Sequence, residues 1–371
     1  MSEVFFFSAR ATASEESKIN KVARLFDAAK FSELFQEKEL VAIKVHFGER
    51  GNDGFVPPMF IRKVVDKVKA KGAKPFVTDT NTLYKGGRMN AVDHLETAIL
   101  HGFSYATLNA PVIIADGLKS NSYQSVEVNL THFKTIEVAQ EIFDANAMIV
   151  VSHFKGHVMC GFGGAIKHLA MGCSPRIGKK QQHAAKAKSD PEKCIGCGAC
   201  ADHCPIDAII VQEKALIDQE KCIGCGECMV ICQTGAMGLD WETEIGPFTE
   251  RVVESAYAAI KNKKDRVGFI NFVINVTPDC DCLGFTDVPI VRDIGILASR
   301  DPVALDQACY DLVNAEQGFL NTKMESNHEP GMDKFKGIFK YTKGEIQLEY
   351  GEKIGLGTRK YKLIHLDNQS S

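Results

Sequence analysis

Thirteen of the 371 residues are cysteines, and eight of them fall between Cys194 and Cys232. An odd total fits poorly with a disulfide scaffold. The amino terminus, Met1-Ser2-Glu3-Val4-Phe5-Phe6-Phe7, has neither the basic start nor the long apolar core of a secretory signal. Clustered thiols in such a chain read as metal ligands. The cluster contains a repeat. Lys193-Cys194-Ile195-Gly196-Cys197-Gly198-Ala199-Cys200 returns 28 residues later as Lys221-Cys222-Ile223-Gly224-Cys225-Gly226-Glu227-Cys228. Each copy closes with a further cysteine, Cys204 and Cys232, so both read C-x2-C-x2-C-x3-C.

That spacing is the one used by bacterial two-cluster ferredoxins. Three thiolates in a tight loop cap three irons of one cube, and the interleaved glycines let the backbone wrap closely around it. The fourth cysteine opens the next helix-like segment and reaches the other cube. Two 4Fe-4S clusters are therefore expected, one on Cys194, Cys197, Cys200 and Cys232, the other on Cys222, Cys225, Cys228 and Cys204. Structural zinc takes four ligands per ion, often in separated pairs, and does not explain two tandem four-cysteine runs. Pro205 follows Cys204 as the pattern wants, whereas Gln233 follows Cys232; the departure bears on the local turn and not on ligation.

Outside this block, polar residues gather where strands should end. Lys44 and His46 lie two apart on an expected strand and so share a face, leaving Ile43 and Val45 on the other. Asp79 closes a second strand, followed by Gly86-Gly87-Arg88. In open α/β sheets ligands bind beyond the carboxyl ends of strands. The stretch from Ser152 to His168 is glycine-rich and carries three imidazoles and two amines. Its Gly161, Gly163 and Gly164 form a turn before a helix, suited to holding an anion or cofactor on backbone N–H groups. Near the end, Cys280 and Cys282 lie two apart in Thr277-Pro278-Asp279-Cys280-Asp281-Cys282. In extended chain both thiols would face one side, which suits an extra metal or redox pair. Cys160, Cys173 and Cys309 stand alone and read as packed thiols.

The elements that must position these groups alternate. Apolar runs at 4–9, 40–47, 75–80, 112–116 and 147–153 read as strands. Amphipathic stretches at 15–35, 57–71 and 90–101 read as helices. After the cysteine block come strands at 267–276 and 288–297 and a helix at 302–314. This is an α/β fold with a mostly parallel sheet layered with helices, interrupted by a small ferredoxin-like α+β insertion. The expected division is 1–188 for the first part of the α/β domain, 189–240 for the insertion and 241–371 for the second part. The basic run Gly178–Lys188 reads as a solvated linker or helix, with a docking patch for an acidic redox partner as the alternative.

A net charge of −3 gives no electrostatic reason to expect nucleic acid or an anionic membrane surface, and no apolar run is long enough to span a bilayer. A cytoplasmic protein is expected, with an unidentified redox protein or small-molecule substrate as its partner.

Together these residues resemble the family known as domain of unknown function 362, in its ferredoxin-containing form. The resemblance is carried by KVHFGERGNDGFVPP at 44–58, TDTNTLY at 78–84, SHFKGHVMCGFGGAIKHLAMGC at 152–173, TPDCDC at 277–282 and DIGILASRDPVALDQA at 293–308. It implies two 4Fe-4S clusters and brings no reaction with it. A fainter resemblance is to the nickel-pincer lactate racemases: Lys167 stands ten residues beyond His157, and His183 sixteen beyond Lys167. That likeness implies Lys167 as anchor of the pincer cofactor, His183 as nickel ligand and His157 as acid/base. The glycine pair stands one position early for that family, and no arginine-bearing substrate motif accompanies it.

The expectation that follows is a low-potential electron-transfer protein or a ferredoxin-coupled oxidoreductase. Its α/β site would be lined by Lys44, His46, Asp79, His157 and Lys167. The alternatives are an adaptor ferredoxin that docks redox partners, or a racemase-like enzyme using Lys167, His157 and His183 with a further metal or anionic cofactor.

Overall fold

A strand buried on both faces needs apolar side chains at successive positions rather than alternate ones. Ala147–His153 is buried throughout and meets that condition from Ala147 to Val151, with Ala147, Ile149 and Val151 in one core and Met148 and Val150 in the other. The structure is a computed structural model that describes residues 1–84, 86–183, 187–222, 227–239, 241–263 and 265–367.

The chain runs β1 (Ser2–Ser8), α1 (Lys18–Ala28), β2 (Leu40–Lys44), α2 (Pro58–Ala70), β3 (Lys74–Asp79), α3 (Ala91–Leu100), α4 (Tyr105–Leu108) and β4 (Val112–Ile114). A hairpin of β5 (Tyr123–Glu127) and β6 (Thr135–Ala139) and helix α5 (Gln140–Asp144) lead to β7 (Ala147–His153). A second hairpin, β8 (Lys155–His157) and β9 (Gly161–Gly163), precedes α6 (Ala165–Ala170) and α7 (Arg176–His183). The cysteine block supplies β10 (Ala187–Ser189), α8 (Ala199–Asp202), β11 (Ile209–Val211), β12 (Ala215–Ile217), α9 (Glu227–Ile231) and β13 (Met237–Leu239). The remainder is α10 (Trp241–Lys261), β14 (Val267–Val273), β15 (Gly295–Ser299), α11 (Pro302–Ala315), α12 (Lys334–Ile338), α13 (Glu345–Lys353) and β16 (Tyr361–His365).

Eight strands form one sheet in the order β16-β1-β15-β14-β7-β2-β3-β4. Only β15 runs against the rest, so the sheet is mostly parallel, as expected. Helices α1 and α2 cover one face through residues such as Leu25, Phe26 and Val64. Helices α6, α10, α11 and α13 cover the other through Leu169, Val252, Leu305 and Leu348. Strands from before residue 188 and after residue 265 thus share a single sheet.

Two expectations need correction. The strand expected at 288–297 begins only at Gly295. Pro289 has no N–H to give, and the preceding stretch is tied to its neighbours by isolated bonds, from Ile290 N to the Val276 carbonyl and Ile294 N to the Val273 carbonyl, both 2.9 Å. Ile290 and Val291 are buried without a ladder. The amphipathic stretch 15–35 is also not one helix. It stops at Ala28, turns at Lys30 with φ 54°, and resumes as a single 3-10 turn at Phe31–Glu33.

The cysteine block departs and returns at one place. Strands β10 and β13 pair antiparallel, with Ala187 opposite Leu239 and Ser189 opposite Met237. Because the two chain ends already stand side by side, a two-residue Asn-Gly turn can join them. Replacing residues 190–236 with that turn is expected to give a folded, iron-free α/β domain with a cooperative thermal transition. Circular dichroism and a melting curve check this, and an aggregated or non-cooperative product would show that the α/β domain needs the block in order to fold.

Candidate active site

Parallel strands open their carboxyl ends to the same side. Here the ends of β2 and β3 and the segments that follow β7 and β14 border a cleft of about 1010 Å³, open solvent at its mouth included. Lys44 and His46 enter it from the end of β2, and Asp79 and Thr80 from β3. The β8 strand brings Lys155 and His157, α6 brings Lys167 and His168, and α7 brings Lys179 and His183. The loop after β14 adds Asp279, Cys280 and Cys282. The six residues singled out from sequence, Lys44, His46, Asp79, His157, Lys167 and His183, therefore meet in one cleft.

Counting donors sorts the cations. An ammonium has three N–H bonds to give. Lys44 spends all of its own inside the protein, on the Val45 carbonyl (2.6 Å), Asp79 Oδ1 (2.9 Å) and His168 Nε2 (2.8 Å). It positions Asp79 rather than touching a substrate. Lys179 is spent likewise on Thr80 Oγ1 and the Asn81 and Ser174 carbonyls, each at 2.7 Å. This corrects the reading of 178–188 as a solvated run, since Gly178, Lys179, Gln182 and His183 are all buried. Burial lowers the Lys179 amine to about 8, with nearby Asp116 opposing the shift.

Lys155 gives one bond to the His153 carbonyl and pairs with Asp281 at 3.0 Å. Lys167 gives one to Cys280 Sγ at 3.3 Å, its sole acceptor among the described residues. These two cations retain N–H groups for a ligand.

The imidazoles are kept neutral. Burial pushes His46, His157 and His168 well below the usual histidine range, and the surrounding lysines and Arg88 push the same way. Backbone N–H groups can only donate, so His157 Nδ1 must accept from Met159 N (3.2 Å) and Cys160 N (3.1 Å). Its single proton therefore sits on Nε2. Gly48 N donates to His46 Nδ1 at 3.0 Å, which leaves the ring's one proton on Nε2, where Arg88 Nη1 stands 3.3 Å away and opposes a charged ring.

Asp79 is the fixed anion. Burial would raise its carboxyl, but Lys44, His94 and Arg88 outweigh this and hold it well below the ordinary carboxylate range. Its Oδ1 takes Lys44 and the Thr80 N–H, while its buried Oδ2 has no hydrogen-bond donor.

The glycine-rich turn does not have the expected free anion cradle. The N–H groups of Ala165 and Ile166 at the start of α6 are taken by the carboxylate of Asp306, at 2.8 and 2.9 Å. Gly164 permits that approach, since a Cβ there would stand 2.3 Å from Asp306 Oδ1. Gly161, at φ 77°, packs against Gly344. Gly164 borders the cleft, whereas Gly161 and Gly163 are not among its lining residues.

The segment 277–282 is a turn and not extended chain, so the same-side argument for its thiols fails. The thiols meet nonetheless, because Cys282 hydrogen-bonds to Cys280. Asp281 turns away to His153 Nδ1 at 2.9 Å. Among the described residues no three of His, Cys, Asp and Glu converge on one ion, so the structure gives the expected extra metal pair no third ligand. Cys160, Cys173 and Cys309 are fully buried, and burial pushes the first two thiols up to about 12 and about 11.

The pincer arrangement turns on Lys167. Burial alone would lower its amine, but Cys280, Cys282 and Cys160 raise it above the ordinary lysine value. As an ammonium beside Cys280, Lys167 would have to lose a proton before it could anchor a covalent cofactor, and His157 presents Nε2–H, an acid rather than a base, toward the cleft.

The cysteine block fits its group better. Cys194, Cys197, Cys200 and Cys232 line one cavity of about 320 Å³, open solvent included. A cube binds each thiolate on a different iron, so its ligands stand further apart than those of one ion. Backbone N–H groups point at the sulfurs, Ala215 N to Cys194 Sγ (3.4 Å) and Ala208 N to Cys204 Sγ (3.2 Å). For the other set, α8 and α9 pack together beside Cys204 and Cys228, while Cys225 lies outside the described residues. The repeat extends further back than the motif, because Asp190 and Asp218 each accept the N–H two residues on and, through their carbonyls, that of Cys194 or Cys222.

The chain belongs to the family described as Domain of unknown function (DUF362), whose profile matches residues 41–311. No curated protein matches it. Among solved structures it is similar to the lactate racemase apoprotein from Thermoanaerobacterium thermosaccharolyticum, at 12% identity and a TM-score of 0.39, over 74% of this chain and 51% of that one. It is also similar to a protein from Thermotoga maritima, at 10% identity and a TM-score of 0.42, over 80% of this chain and 58% of that one. The chain thus spans about half the length of the first and under two thirds of the second. Neither likeness is close enough to assign an activity. Among the described residues no helix is long and apolar enough to cross a membrane.

Proposed function

We propose that this chain is an iron–sulfur oxidoreductase. Its ferredoxin-like block would hold two 4Fe-4S clusters, and its cleft would bind a small anionic molecule. The observation that carries the reading is the shared cavity of Cys194, Cys197, Cys200 and Cys232, because Cys232 comes from the other copy of the repeat, as crossed two-cluster ligation requires. When bound, such clusters supply single electrons at low potential.

The chain's own residues do the rest. Lys155 and Lys167 offer N–H donors and positive charge, His157 offers an Nε2–H, and Asp79 has a carboxylate oxygen that accepts no hydrogen bond and faces Arg88 at 3.6 Å. The block is rooted beside these groups. It follows α7 and precedes α10, both of which pack with α6 or the turn after it, and Arg251 of α10 donates to the Gln182 and His183 carbonyls. An adaptor would dock a partner through exposed charge, whereas Lys44, Asp79, Lys155 and Lys167 are buried, which favours a small substrate.

Protein purified anaerobically is expected to hold about eight irons and eight sulfides per chain and to gain thermal stability from inorganic phosphate or oxalate. Zinc in place of iron, or about four irons with no second cluster, would sink the two-cluster assignment. Intact clusters without anion stabilisation would sink the cleft reading alone.

A further inference from the structure

Anion binding leaves one cleft group idle. Cys280 is buried against the Lys167 ammonium, with Nζ to Sγ at 3.3 Å, and it borders the cleft. We infer that Cys280 is a nucleophile toward small anionic carbonyl compounds, with Lys167 as its counter-ion and with Lys155 and Lys167 holding the anionic end of the target. The inference rests on the anion-binding reading of the cleft.

Four observations bear on it. The Cys282 thiol donates to Cys280 and so favours the thiolate, against the opposing effect of burial, and Lys167 and Lys155 add to the lowering. The adjacent carboxylate of Asp281 opposes the thiolate but is itself paired with His153 and Lys155. The loop is fixed in place, since Gly156 lies so close to Pro278 that a Cβ would stand 2.1 Å from its carbonyl oxygen. Asp79, whose buried Oδ2 has no hydrogen-bond donor and stands 3.6 Å from Arg88 Nη1, borders the same space.

The step balances without an oxidant or reductant. A sulfur lone pair forms an S–C bond at the carbonyl carbon, and the C=O π pair moves to oxygen. A proton passes from the Lys167 ammonium to that oxygen, leaving a covalent thiohemiacetal-type adduct and a neutral amine. Lys167 is within hydrogen-bond reach of the sulfur, so one residue serves both as counter-ion and as proton source.

The test is alkylation of the anaerobically prepared protein with its clusters loaded, using iodoacetate and iodoacetamide and mapping peptides by mass spectrometry. In each reaction an S–C bond forms and iodide leaves. Cys280 is expected to react with iodoacetate at least about tenfold faster than with iodoacetamide, because the cationic walls concentrate the carboxylate. Lys167→Met is expected to slow both reagents. Lys155→Met is expected to remove the preference for iodoacetate, which keeps the test open should Lys167→Met not fold. A Cys280 that stays unmodified in folded protein still stabilised by phosphate overturns the nucleophile and spares the anion site. A Cys280 that reacts equally with both reagents, in protein that phosphate does not stabilise, supports the nucleophile and overturns the anion-binding reading.

Discussion

Lys44→Met is expected to destabilise the α/β domain by roughly 3–5 kcal/mol, the usual cost of removing one partner of a buried ion pair. Lys44 is fully buried and carries three bonds, so its loss takes the counter-charge from Asp79, which keeps the Thr80 N–H, and removes the donor to the Val45 carbonyl and the partner of His168 Nε2. A chain of this size should then melt lower by on the order of 10 °C. The pH dependence fixes the cause. The Asp79 carboxyl is depressed in the folded state, so the stability it contributes is present above its unfolded value of about 3.9 and is lost as pH falls through the folded value. The deficit of the variant should therefore be largest near neutrality and shrink below about pH 4, where an unpaired Asp79 takes up a proton. Lys44→Met with Asp79→Leu should recover part of the loss, because it removes the stranded charge. Melting curves from pH 3 to 7 decide the matter. A single variant as stable as wild type, or a deficit that grows in acid, would show that the pair does not hold the strand ends.

Cys232→Ala is expected to remove one cluster and spare the other, halving the iron to about four per chain. Cys194→Ala should remove the same cluster, although the two residues stand in different copies of the repeat, because both border one cavity. Cys204→Ala should remove the other. Iron analysis with electron paramagnetic resonance of the reduced protein separates the two signals. If Cys194→Ala and Cys204→Ala lose the same signal instead, ligation follows the copies and the crossed assignment is wrong.

The site was legible to the extent that it depends on strand ends. Lys44, His46 and Asp79 could be placed together because apolar runs marked parallel strands, and parallel strands end on one side. Other parts depend on partners far along the chain. Lys179 sits in a run that looks solvated because the acceptors that bury it, at residues 80, 81 and 174, leave no mark on local periodicity. The start of α6 looked ready for an external anion because its own filler, Asp306, lies 140 residues away from Ile166. Lys155 and His168 were in plain view within the glycine-rich run, as was Arg88 after its own glycine pair, yet nothing in the spacing separated them from their neighbours. What separates them is how many of their N–H groups are spent within the protein, and that is set by tertiary partners.

The pairing of β10 with β13 bears on the order in which the molecule matures. Strands β7 and β14 are neighbours in the sheet yet are separated by more than a hundred residues of chain. Loop-closure entropy grows only logarithmically with length, about 0.6 kcal/mol for each doubling. Once the two short strands have met, the cysteine block no longer lengthens the crossover and adds little to the entropy of closing the sheet. The large domain can therefore reach its topology while the thiols are still bare. Assembly of the proposed clusters would then act on a block already anchored at both ends, as a late step that leaves the register of the sheet untouched.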